Sequence, residues 1–274
     1  MTYLICSDVD GTLMVDHTQM TPATRQAIRQ IMAQGNQFYI ASGRMLPLAR
    51  QTAALIGGPV KIIAADGATF EQGDQLVTSH LANAKLKLIY QTALSNNCRV
   101  FFFETNRIYY TGCEPPYQAK AAHAHTGGLP NDLNVMPLIG PEFLPNLGDH
   151  ITNAIVYGQP SELALVRQIL VDQTMFSLTS TPDHLEIVPH GIDKAFALAS
   201  IQRHLGIDRA HTIVFGDALE DISTFKLAGH SVAMGNANEA LKQVATDVTL
   251  SNDQDGVAVF LQDFFNLNEN VAHG

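Results

Sequence analysis

Tyr3-Leu4-Ile5-Cys6-Ser7-Asp8-Val9-Asp10-Gly11-Thr12-Leu13 decides how the chain is read. Tyr3–Ser7 is a short apolar run of the kind that forms a buried strand. Two acids, Asp8 and Asp10, follow at once, and then Gly11, whose missing Cβ lets the backbone turn tightly. In a parallel α/β sheet the functional crevice lies outside the carboxyl ends of the strands. Packing does not account for a pair of carboxylates at such an edge, because unpaired buried charge is expensive. An isolated Asp-x-Asp-Gly reads as a solvated turn, so the remaining strand ends decide between turn and site.

Outward from this stretch the first third alternates strand and helix. Thr21 and Pro22 open a helix as N-cap and first residue, Ala27, Ile28, Ile31 and Met32 recur at helical spacing, and Gly35 stops it. Strands are expected over Phe38–Ala41 and Val60–Ala64, with a helix from Leu46 to Leu55 between them and a hairpin about Gly73-Asp74 after them. The last third returns to this rhythm, with a helix over Ala195–His204, a strand over Thr212–Phe215, and further helices and strands to Leu250. The middle differs: Arg99–Glu104, Ile108–Tyr110, Asn153–Tyr157, Met175–Thr179 and His184–Val188 read as strands, and 111–150 as a loop-rich stretch. The expected fold is α/β, a doubly wound, mostly parallel Rossmann-like sheet formed by residues 1–79 and 191–274, with an α+β unit inserted at 80–190.

The other strand ends carry polar groups too. The second ends in Ser42-Gly43-Arg44, a hydroxyl and backbone N–H groups able to hold phosphate oxygens. The strand at Thr212–Phe215 ends in Gly216-Asp217-Ala218-Leu219-Glu220-Asp221. Acids converging on one sheet edge repel one another unless a cation is present, and an all-oxygen donor set favours Mg²⁺ over zinc or copper. Lys194 stands before a helix at the return into the first pattern; on its own it reads as a surface lysine.

Together, Asp8-Val9-Asp10-Gly11-Thr12-Leu13, Ser42-Gly43-Arg44, Lys194 and Gly216-Asp217-x-x-x-Asp221, in this order, resemble the phosphatase branch of the haloacid dehalogenase superfamily. The insertion, Met234-Gly235-Asn236-Ala237 and Asn252-Asp253-x-Asp255-Gly256-Val257 are similar to its Cof-type sugar-phosphate phosphatases. The resemblance implies that Asp8 is a nucleophile forming an aspartyl-phosphate and that Asp10 is the general acid and base. It implies Mg²⁺ on the Asp8 carboxylate, the Asp10 carbonyl and Asp217, and Asp221 behind them. Val9, Ser42, Gly43, Lys194 and Glu220 fall at phosphate-binding positions, and Arg44, His184 and Asn252 are candidates for substrate contact. Three positions depart from the family's pattern: Glu220 where an Asn is usual, Ala195 where a Gly follows the lysine, and Asp66-Gly67 where Asn-Gly commonly ends the third strand. An ionised carboxylate accepts hydrogen bonds but cannot donate them as an amide does.

Composition sets the outer limits. Sixteen Lys and Arg against 26 Asp and Glu leave a net charge of −10 over 274 residues. That field disfavours nucleic acids and anionic membranes as partners and demands local cations or a metal at any anion site. No apolar stretch reaches the roughly 20 residues of a membrane span, and the N-terminus lacks the basic region of a signal peptide. Three unpaired cysteines, Cys6, Cys98 and Cys113, fit a reducing cytoplasm. The expected partner is a small phosphorylated metabolite, and the expected state a monomer or weak homodimer. A phosphotransferase or phosphomutase on the same core, and a non-enzymatic phosphosugar-binding regulator, are the competing readings. His123 and His125 read as surface residues, Phe101-Phe102-Phe103 as core of the insertion, and Cys6 as a small buried hydrophobe.

Overall fold

The computed structural model describes residues 1–16, 19–112, 133–138, 140–171, 176–180 and 184–267, so His123 and His125 lie outside the described residues. Strand β1 (Leu4–Asp8) is buried along its whole length, as a strand covered on both faces must be. It lies between β2 (Gln37–Ala41) and β12 (Thr212–Gly216), parallel to both. Eight strands form this sheet in the order β14-β13-β12-β1-β2-β3-β4-β5, completed by β3 (Lys61–Ala64), β4 (Thr69–Gln72), β5 (Gln75–Thr78), β13 (His230–Ala233) and β14 (Asp247–Val248). Only β4 runs against the rest, antiparallel to both β3 and its hairpin partner β5. The chain leaves β1 toward β2 and leaves β12 toward β13, so the direction of winding reverses between β1 and β12. Register then brings three strand ends together: Asp8 stands beside Ala41, and Ser7 beside Phe215.

Helix α1 (Pro22–Ala33) packs against both α2 (Leu46–Ile56) and α8 (Gly256–Phe264), while α5 (Lys194–Leu205) packs on β3, β4 and α6 (Ile222–Phe225), and the short α7 (Glu239–Lys242) precedes β14. Helix α1 begins as its sequence dictates: Thr21 accepts from the Thr24 N–H at 3.1 Å and Pro22 takes the first turn. Its Ala27, Ile28 and Ile31 are fully buried in the core under the sheet.

A second sheet has the order β10-β11-β9-β6-β7-β8, with β6 (Arg99–Phe103), β7 (Arg107–Tyr110), β8 (Asn134–Pro137), β9 (Asn153–Tyr157), β10 (Phe176–Ser180) and β11 (His184–Pro189). Its pairs are antiparallel except β7 with β8. Period-2 alternation splits its side chains. Val100, Phe102, Ala154, Val156, Leu185 and Ile187 face α3 (Asn83–Ser95) and α4 (Pro160–Val171) in one core. Phe101, Phe103, Ile108 and Ile155 cluster instead with Met45, just before α2. Burying an aromatic of this kind contributes about 1.5–3 kcal/mol, so the two sheets meet through a real apolar contact.

Two stretches depart from the expectations above. The span 111–150 contains β8 and a run of 3-10 turns over Pro141–His150, which place Leu144 and Leu147 in the core. Residues Gly256–Phe264 form a helix where the sequence reading marked no element. Among the described residues no helix is long and apolar enough to cross a membrane.

Candidate active site

Asp8 ends β1 with its side chain buried. Lys194, the first residue of α5, points its Nζ at Asp8 Oδ1, 2.6 Å away. The lysine is itself only 4% exposed and also donates to Glu220 Oε1 at 3.2 Å and Asp221 Oδ1 at 3.4 Å. Asp193, the N-cap of α5, accepts from the Phe196 N–H at 2.7 Å and so fixes the start of the helix that carries the lysine. Lys194 is therefore no surface residue; the fold buries it among carboxylates. Burial alone would lower its pKa, but Asp221, Asp8 and Glu220 outweigh that and hold it well above the ordinary lysine value.

Asp217 and Asp221 follow β12. Asp221 Oδ2 accepts the Asp217 and Ala218 N–H groups at 3.1 and 3.2 Å, closing the turn on itself. Thr12 donates to Asp217 Oδ1 at 2.9 Å, tying the first turn to the last. Gly11 has φ +88°, and a Cβ there would run into the Asp217 carboxylate. Asn236 donates to the Gly11 carbonyl at 2.8 Å, and Asn252 to the Met14 carbonyl at 2.8 Å. Asn252 thus braces the backbone beyond the first motif. Val9 is fully buried, and its carbonyl accepts from Leu13 and Met14 N–H at 3.0 Å, coiling the chain behind Gly11.

Oxygens of Asp8, Asp217 and Asp221 lie within 4.8 Å of one another, a spacing that suits one hard cation. The electrostatics agree. Burial pushes Asp8 well above the usual carboxylate range, and Lys194 only partly offsets it. Burial likewise raises Asp217 to about 6, with the Thr12 hydrogen bond pulling down and Asp221 pushing up. Several acids compete for one lysine, and a divalent cation would supply the charge they lack. The donor set fits such a metal. Asp221 stands with Asp8 and Asp217 in that trio, with its oxygens engaged by Lys194 and by the Asp217 and Ala218 N–H groups; the sequence reading set it behind the ligands.

Asp10 has a partner that the sequence left undecided. Arg44 grips it with two nitrogens, Nε to Oδ2 at 2.9 Å and Nη2 to Oδ1 at 2.5 Å. This fork geometry is specific to Arg, and Thr52 accepts a third Arg44 hydrogen bond at 3.0 Å. Ser42 is buried, and its Oγ accepts the Arg44 N–H at 3.1 Å. Its carbonyl accepts from the Asp66 N–H at 3.2 Å, so the turns after β2 and β3 are laced together. Glu220 joins the group through its ion pair with Lys194 and is otherwise substantially exposed. His184, on β11, contacts Glu186 Oε1 at 3.3 Å and lies against the Tyr157 ring with centroids 5.2 Å apart. Cys6 is fully buried and burial pushes its thiol up to about 12, which leaves it chemically inert. Thr12, Asn236 and the Asp66–Glu186 contact were not singled out as a site from sequence, because each depends on which distant turn the sheet brings opposite.

A strand-end site of this build, on a doubly wound sheet, defines a class, and a family model of haloacid dehalogenase-like hydrolases matches residues 5–261. The chain belongs to that family and is a phosphatase. It is 27% identical over 277 residues to 5-amino-6-(5-phospho-D-ribitylamino)uracil phosphatase YitU of Bacillus subtilis, covering 97% of this chain and 98% of that one. It is 26% identical over 270 residues to the HMP-PP phosphatase of Serratia proteamaculans, covering 96% and 95%. Among solved structures, a haloacid dehalogenase-like hydrolase from Bacteroides thetaiotaomicron superposes with a TM-score of 0.81 at 28% identity, covering 96% of this chain and all of the other.

Proposed function

We propose that the chain is a Mg²⁺-dependent phosphomonoesterase that hydrolyses small phosphorylated metabolites, sugar phosphates or related polyol esters, through an aspartyl-phosphate on Asp8. The observation that carries the reading is the buried Asp8 carboxylate, held by Lys194 at 2.6 Å and crowded by Asp217 and Asp221. Asp8 Oδ attacks phosphorus as the ester oxygen leaves. Asp10, turned by Arg44, gives that oxygen a proton and then takes one from the water that opens the acyl phosphate. Ser42, the Gly43 backbone, the Val9 turn and Lys194 surround the transferring oxygens and stabilise their charge. Glu220 acts through Lys194, orienting its ammonium rather than touching phosphate. Asp8, Asp217, the Asp10 carbonyl and Asp221 would hold the metal, which supplies charge neutralisation between the acids and a phosphate dianion.

Residues 80–190, which carry the second sheet, serve as a cap on the core made by 1–79 and 191–274. Its Phe101–Tyr157 face, with His184, stands toward the turns after β2 and β3 and contacts the leaving group. The relatives' names support phosphate esters of ribityl and pyrimidine compounds as substrates to try first. The acidic, cysteine-poor composition supports a cytoplasmic protein. Phosphate release from p-nitrophenyl phosphate, with Mg²⁺ and with chelator, tests the reading. Release only with Mg²⁺ supports it, and full release in chelator contradicts the metal assignment. Retention of a ligand without any turnover favours the regulator reading instead.

A further inference from the structure

Where the two sheets meet, two carboxyl groups stand over one backbone turn. Asp66 stands in the turn after β3 and Glu186 on β11. A Cβ built on Gly43 would lie 3.2 Å from Asp66 Oδ1 and 3.4 Å from Glu186 Oε2, so both carboxyls sit over the Gly43 backbone. Ionised carboxylates are acceptors only, so a hydrogen bond between the two forms only while the pair holds one proton. The surroundings place that proton. His184 on the same strand faces Glu186 at 3.3 Å, Lys194 at the start of α5 attracts both acids, and Glu220 after β12 repels Asp66. Burial alone would raise Glu186, but the His184 and Asp66 hydrogen bonds bring it down to about 2. Burial and the Glu186 charge push Asp66 well above the usual carboxylate range.

We propose that Asp66 is a positioning residue whose protonated carboxyl donates to Glu186 and so holds β11, and with it the second sheet, against the Gly43 turn. The family's usual Asn at this position donates at every pH; Asp donates only while it keeps its proton. The contact is therefore present below the Asp66 titration and lost as pH rises through it, when two carboxylates face each other. Its effect on turnover rests on the phosphomonoesterase reading, but its protonation does not. The turn itself accepts the substitution: Asp66 has φ 49°, a left-handed conformation that Asn adopts as readily as Asp.

Carbon-13 NMR of the side-chain carboxyls in the full-length protein reads the proton directly. Asp66 is expected to titrate well above the ordinary carboxylate range, and Glu186→Gln to lower its midpoint. A midpoint near 4 overturns the proposal whatever the enzyme hydrolyses. The second arm compares kcat/KM with p-nitrophenyl phosphate for the wild type and Asp66→Asn at about one pH unit below and about one above the midpoint found by NMR. The variant's ratio of activity above the midpoint to activity below it is expected to be at least about threefold the wild-type ratio, since its amide keeps donating. A raised midpoint with identical pH profiles overturns the positioning role. Circular dichroism at both pH values keeps a change in folded fraction apart from a change in positioning.

Discussion

Lys194 makes ion pairs with Asp8, Glu220 and Asp221 while almost wholly buried, and each partner's charge depends on it. Replacing it by Met leaves Asp8 and Asp221 buried without a counter-charge. Such a loss typically costs about 3–5 kcal/mol, so Lys194→Met is expected to lower the urea midpoint sharply and kcat/KM by at least about 100-fold. Unchanged stability would show that the acids are protonated and indifferent to the lysine. Asp217 gives a pH prediction. Its carboxyl sits at about 6 in the metal-free protein because it is buried beside other acids. A metal must displace that proton, so Mg²⁺ affinity is expected to be steady above pH 7 and to fall up to about tenfold per unit below about 6. Calorimetric titration across pH checks this; affinity that holds at pH 5 would remove Asp217 from the ligands. At this scale the sequence was legible where chemistry is local. Asp8, Asp10, Asp217 and Asp221 announced themselves by crowding acids at strand ends. Arg44 did not, because its bidentate grip on Asp10 spans 34 residues of chain and is set by the register of β1 against β2.

Elements hold these residues by turns that tolerate few side chains. Gly11 combines φ +88° with direct contact between its Cα face and the Asp217 carboxylate. Gly11→Ala is expected to cost about 1–3 kcal/mol in backbone strain, and to displace Asp217 from Thr12 besides. Thermal unfolding and Mg²⁺ binding should fall together; a variant with lowered Tm and intact Mg²⁺ affinity would show that the turn and the acid are independent. The strands and helices around the site were readable because buried parallel strands are continuous apolar runs and α1 carries its own cap. Strand β8 was not. It has four residues, mostly exposed, and among the described residues pairs along β7 alone, so neither periodicity nor hydrophobicity marks it. Helix α8 did carry a signal: Val257, Ala258 and Leu261 recur at helical spacing and are buried. The sequence reading took the start of that stretch as a motif and passed over its period.

The whole molecule sets one sheet's face over the other's strand ends. Burial of Phe101, Phe103 and Ile155 against Met45 holds the second sheet near the turn after β2, with His184 and Tyr157 on that side. His184→Ala is expected to reorder kcat/KM among sugar phosphates by about 1–3 kcal/mol, with a smaller change for p-nitrophenyl phosphate, whose leaving group offers fewer polar contacts. An identical ranking would place specificity in the first sheet. The two kinds of sheet were legible as a change of texture, alternating elements giving way to antiparallel ones and returning. The meeting of Asp66 with Glu186 was not, because it needs the docking of two units that the sequence describes separately.

The central claim is that Asp8 takes the phosphoryl group. Rapid acid quenching of the enzyme during turnover of p-nitrophenyl phosphate with Mg²⁺, followed by peptide mapping, reads it directly. The account predicts an acid-stable, hydroxylamine-labile phosphoryl group on Asp8, absent in Asp8→Asn, with turnover of that variant down at least about a thousandfold. A phosphoryl group mapped to another side chain, or comparable phosphate release by Asp8→Asn, would contradict it.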